Sequence, residues 1–81
     1  MRTLKISKDC IVPVENISII LNYSSKWVIN SVKKAKAEQN VIDVTCGKKT
    51  ISAIMLKDGK YVLSNTSVAT LETRMNDEKS E

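Results

Sequence analysis

The stretch VIDVTCGKKTISAIMLKDGKYVLS, residues 41–64, decides the fold. Its opening, Val41 to Cys46, reads as a strand. Ile42, Val44 and Cys46 point one way along it, and Val41, Asp43 and Thr45 point the other. Gly47-Lys48 reads as a turn, because glycine accepts the positive φ of a tight connection. Lys49 to Leu56 follows as a strand rich in Thr, Ile and Met. Asp58-Gly59 is a strong two-residue hairpin signal, and it delivers Lys60 to Ser64 as a third strand. Three strands joined by tight turns predict a largely antiparallel sheet.

Upstream, Thr3 to Ile6 reads as a short strand, with Leu4 and Ile6 on one face. Cys10 to Val14 continues extended. Pro13 cannot donate to a ladder, which puts this stretch at a sheet edge or strand end. Asn16 to Leu21 is a strand in which Ile17, Ile19 and Leu21 alternate with Asn16, Ser18 and Ile20. Ser24-Ser25 offers N-cap hydroxyls for a helix reaching about Gln39, with Asn40 ending it. Val28, Val32 and Ala35 form its core-facing stripe. Lys26, Asn30 and Lys33 fall on the opposite face, with Lys34 and Lys36 to either side, so the helix has a basic back. Downstream, Ser64-Asn65-Thr66-Ser67 caps a last helix that packs through Val68, Leu71 and Met75. The expected fold class is α+β: a small, largely antiparallel sheet with one main amphipathic helix and a C-terminal helix. Residues 1–75 form one domain, and 76–81 read as an acidic, frayed tail.

The chain has 81 residues and a net charge of +4. At this length a single copy buries only about 60–65% of its unfolded surface, so self-association adds burial that one copy cannot reach. The charge is uneven: residues 1–70 carry eleven Lys/Arg against five Asp/Glu, and residues 71–81 carry two against four. The basic body favours polyanion partners. Met1-Arg2-Thr3-Leu4-Lys5 has no apolar signal region, and no run approaches a membrane span. Cys10 and Cys46 therefore read as reduced thiols of a cytoplasmic protein, packed as small hydrophobes on sheet faces.

The chain contains no histidine, which removes Ser-His and Cys-His pairs and His-ligated metal together. The two glycines cannot build a phosphate-cradling loop. Asp9, Glu15, Glu38, Asp43 and Asp58 are scattered, and no pair is placed for acid–base work. No catalytic residue, cofactor, metal or small-molecule substrate is expected. Asp43 stands out because aspartate is disfavoured in mid-strand. It either lies on the solvent face accepting backbone hydrogen bonds, or pairs with Lys48, Lys49 or Arg74.

The run Ile42-Asp43-Val44-Thr45-Cys46-Gly47-Lys48-Lys49-Thr50 resembles the RemA family of small bacterial regulatory proteins. The likeness continues through Ser64, Thr70 and Arg74, and extends upstream to Ile17-Ser18-Ile19, covering about residues 14–75. It implies a DNA-binding transcriptional regulator of biofilm-matrix genes that assembles as a ring-shaped homo-oligomer. Gly47-Lys48-Lys49 corresponds to a Gly-Arg-Arg element implicated in DNA binding. The sequence departs from the pattern at Lys48 and Lys49, at Ile51 and Glu15 where basic residues are usual, and at Trp27 in place of a proline. Lysine supplies a point charge where arginine supplies a planar fork. The expected partners are duplex DNA, contacted through its phosphates, and further copies of the chain. The residues marked for nucleic acid are Gly47, Lys48 and Lys49, with Lys33 and Lys36 on the helix back and Arg74 in the last helix.

Overall fold

A computed structural model of the chain describes residues 2–7 and 10–76. Strands β1 (Thr3–Ser7) and β2 (Cys10–Pro13) form an antiparallel ribbon. A short 3₁₀ turn leads into β3 (Ile17–Asn22), then helix α1 (Lys26–Ala37) and strand β4 (Val41–Asp43). Strands β5 (Ser52–Leu56) and β6 (Tyr61–Ser64) and helix α2 (Val68–Asn76) complete the chain. The main sheet has the order β3-β5-β6-β4. This is the α+β class expected of the sequence, with two helices and mostly antiparallel pairing. Asn76 closes α2 rather than opening the acidic tail, and residues 77–81 lie outside the described residues.

Period-two alternation along the strands gives the sheet two apolar faces, and each has its own cover. Ala53 and Leu63 pack with Val28 and Val32 of α1 on one face. Ile54 and Val62 pack with Leu4, Ile6 and Val12 of the ribbon and Leu71 of α2 on the other. The Val28, Val32, Ala35 stripe is buried as its spacing predicts.

Strand β3 departs from simple alternation. The register steps from Ile17↔Leu56 to Ile19↔Met55, so Ser18 is an extra residue. A bulge of this kind turns the side chains before it onto the other face. Ile17 and Ile20 therefore both pack on the ribbon side, while Leu21 packs on the α1 side.

The helix ends are closed by different means. Ser25 occupies the α1 N-cap position, but its side chain makes no capping hydrogen bond. At the C-terminus, Gln39 has φ 61°. Its N–H donates to Lys36 O at 3.0 Å, and Asn40 N–H donates to Ala35 O at 2.9 Å. That pair of bonds is the Schellman closure, formed here without glycine. Helix α2 is capped by Ser67, whose Oγ accepts the Thr70 N–H at 3.2 Å.

The middle of the chain holds the main correction to the sequence reading. Strand β4 stops at Asp43, three residues before the expected Cys46, and β5 starts at Ser52 rather than Lys49. β4 pairs with β6, in parallel, and β5 does not touch it as a neighbour. Residues 44–51 are therefore not a hairpin turn. They form a crossover that passes the end of β6, held by Val44 N–H to Leu63 O at 3.0 Å and Ile51 N–H to Ser64 O at 2.8 Å.

Candidate nucleic-acid interface

The crossover begins with Asp43. Its Oδ1 accepts the Thr45 N–H at 2.9 Å and the Thr45 hydroxyl at 2.6 Å. A side chain bonding backbone two residues on competes with the ladder and ends the strand. Of the two sequence readings of Asp43, the backbone-acceptor one describes the structure. The Thr45 hydroxyl and N–H hold the carboxyl below the ordinary value of 3.8, with a smaller favourable contribution from the charge of Lys36.

Thr45 O then accepts the Lys48 N–H at 3.1 Å, closing a β-turn around Cys46 and Gly47. Both central residues have positive φ, 56° and 84°. These are the φ signs of a type I′ turn, which glycine fits without steric cost. The turn presents Lys48 and Lys49 to solvent, both exposed. Cys46, expected on a sheet face, is instead exposed in the turn. Its φ of 56° takes it out of the strand alternation that gave the expectation.

Beside the turn lies a cleft of about 590 Å³ lined by Lys5, Asp43, Lys48, Asn65, Thr66 and Arg74, among others. One of its lining residues, Thr66, belongs to a set of hydroxyl bonds that ties three strands to the segment before α2. Ser52 and Ser64, paired across β5 and β6, are fully buried. Ser52 Oγ donates to Thr66 O at 2.8 Å, and Ser64 Oγ donates to Ile6 O at 3.3 Å while accepting the Thr66 N–H at 3.0 Å. Thr66 Oγ1 also donates to Ile6 O, at 3.2 Å. Arg74 reaches back from α2, and its Nη1 donates to Lys5 O at 2.9 Å. Burial pushes the Cys10 thiol, on the same wall, above its usual range.

Of the six marked residues, the fold brings Lys48 and Arg74 together in the cleft, with Gly47 shaping the turn between its walls and the solvent. Lys36 is exposed on α1 and does not line the cleft, and its charge favours the ionised form of Asp43. Lys33 and Lys49 are exposed but do not line the cleft. Sequence reasoning missed Lys5, Asn65 and Thr66. Lys5 points to solvent from a strand far from the Gly-Lys-Lys turn in the chain, and no local spacing joins the two. Among the described residues, no helix is long and apolar enough to cross a membrane.

Taken together, these features define a small basic α+β protein with a projecting lysine turn beside a cation-lined cleft. The family model for RemA-like proteins, described as extracellular matrix regulatory protein A-like, matches residues 3–75. The chain belongs to that family of regulatory proteins. Proteins of Bacillus cytotoxicus, Bacillus mycoides and Bacillus cereus, each named "Putative regulatory protein", are 32% identical to it over 79 residues. The alignment covers 98% of this chain and 91% of each relative.

Proposed function

We propose that the chain is a DNA-binding transcriptional regulator of the matrix-regulator type. It acts as a ring-shaped homo-oligomer and contacts duplex phosphates through the Gly47-Lys48-Lys49 turn. The observation that carries this reading is the turn itself: two consecutive left-handed residues project two adjacent lysines, with Arg74 and Lys36 close by. Two lysines make a weak site in one copy. Repeated around an oligomer they gain avidity, since each further contact is intramolecular. Lysine at both positions favours phosphate anchoring over base reading.

The test is binding to duplex DNA across a salt series. The expected result is a steep linear fall of log affinity with log salt, and a slope shallower by about one unit per lysine lost in Lys48→Ala/Lys49→Ala. An unchanged slope in that variant moves the contact to the Lys26, Lys33 and Lys36 face of α1. A second reading is an oligomeric protein-interaction scaffold of the same fold, without DNA binding. The observation in its favour is the absence of basic side chains at Glu15 and Ile51. It predicts normal oligomers with no salt-sensitive affinity for the duplex.

A further inference from the structure

We propose that the cleft between β1, the 43–48 crossover and α2 binds a phosphate monoester: a small molecule with one terminal phosphate on an organic group of about nucleotide size. The shape argues first. A duplex is a convex rod that meets the projecting turn, whereas a recess takes a small molecule. Its volume of about 590 Å³ falls within the roughly 300–1,000 Å³ typical of ligand pockets.

The charges argue next. Lys5, Lys48 and Arg74 come from three separate segments of chain and line one cleft with a single carboxylate, Asp43. Three cations against one anion leave +2 among the described residues, which complements a phosphate dianion. Arg74 is fixed by its bond to Lys5 O, which uses Nη1 and leaves its other N–H groups for an anion. The side chains of Ser7 and Asn65 also line the cleft and have no hydrogen-bond partner among the described residues. They add neutral donors.

Asp43 and the apolar wall point to an ester rather than free phosphate. Both hydrogen bonds to Asp43 land on Oδ1, so Oδ2 is available to accept from a hydroxyl or amino group of the organic part. Val44 and Cys10 supply an apolar surface against which that part packs. A ligand seated here neutralises Lys48 and Arg74. If the lysine turn is the duplex contact, the ligand lowers DNA affinity; the cleft itself does not depend on that reading.

The experiment is calorimetric titration of the full chain with inorganic phosphate, ribose 5-phosphate and adenosine monophosphate, and with adenosine as the uncharged control. Saturable binding of at least one ester is expected, tighter than inorganic phosphate, with none for adenosine. Affinity for the ester falls as pH drops through about 6, where the phosphate becomes a monoanion. Lys5→Gln and Asn65→Ala each weaken it, the former roughly tenfold, and the exposed Lys33→Gln leaves it unchanged. Bound ester also slows alkylation of Cys46. Absence of saturable binding by every phosphate, or equal weakening by Lys5→Gln and Lys33→Gln, overturns the proposal. Lys49→Ala separates the two sites: it lowers duplex affinity and spares the ester. Ester binding without any duplex binding overturns the proposed function alone.

Discussion

Asp43 and Thr45 show how two side chains set the course of the chain. The carboxylate removes Thr45 from the ladder, β4 ends, and the crossover starts. Thr45 is buried, and its hydroxyl donates to the ionised acid. Thr45→Val is expected to cost about 1 kcal/mol near neutral pH. The pH dependence follows from the direction of the Asp43 shift. Its folded pKa lies below the ordinary 3.8, so the stabilisation is complete above that value and is lost as pH falls through the folded pKa. Carboxyl NMR titration checks this: the Asp43 midpoint rises in Thr45→Val, and urea stabilities of the two proteins converge in strong acid. A second residue-scale prediction concerns Gln39, a non-glycine residue at φ 61°. The left-handed conformation costs a residue with a Cβ about 1–2 kcal/mol. Gln39→Gly removes most of that cost, offset by the greater freedom glycine has when unfolded. The net gain expected is about 0.5–1 kcal/mol, read as a higher urea midpoint with an unchanged slope.

Elements with a regular period were legible in the sequence, and those ended by side-chain chemistry were not. The α1 stripe and the α2 packing residue Leu71 follow from 3.6-residue spacing. Asp58-Gly59 closes the β5–β6 connection, with Gly59 at φ 92°. The period of Val41 to Cys46 is equally good, but the Asp43–Thr45 bonds cut the strand at its middle. The parallel β4–β6 pairing was also hidden, because a glycine turn signals a reversal without saying which strand lies alongside. In β3, the extra Ser18 made an alternation that looked simple change faces. The ribbon, α2 and the sheet are joined by polar bonds as well as by the core. Ser64 is the junction, fully buried, donating to β1 and accepting from Thr66. Ser64→Val leaves Thr66 N–H and one bond to Ile6 O unmade. Leaving such groups unsatisfied in a buried site costs about 1–3 kcal/mol. Urea unfolding measures that loss, and hydrogen exchange locates it: Thr66 N–H loses protection first. Ser52→Ala, which keeps both bonds of Ser64, leaves that N–H protected.

At the scale of the molecule, only the exposed part of the candidate site was legible. Gly47-Lys48-Lys49 is contiguous and announces itself; the cleft is assembled from β1, the crossover and α2, which only folding brings together. The same holds for the surfaces through which the proposed assembly of copies would form. Strands β3 and β4 are the two ends of the sheet order, and among the described residues each end keeps an unpaired edge with an exposed isoleucine, Ile19 at 44% and Ile42 at 47%. Along β3, an apolar groove of about 470 Å³ is lined by Val14, Ile17, Ile19, Ile20, Val68 and Met75. The two edges differ, so copies that join β3 of one to β4 of the next make a head-to-tail contact, the kind that closes into rings. This geometry gives a test that composition alone does not. Ile19→Lys destroys one side of the contact and Ile42→Lys the other, so each variant alone sediments as a monomer near 9.0 kDa. Mixed in equal amounts, they retain one intact pair of edges between them. The mixture therefore sediments as a dimer and goes no further, because the outer edges are blocked. A self-complementary contact, in which each copy uses the same edge, leaves one of the two variants dimeric on its own. Ring-sized particles from either variant alone rule out the β3-to-β4 contact.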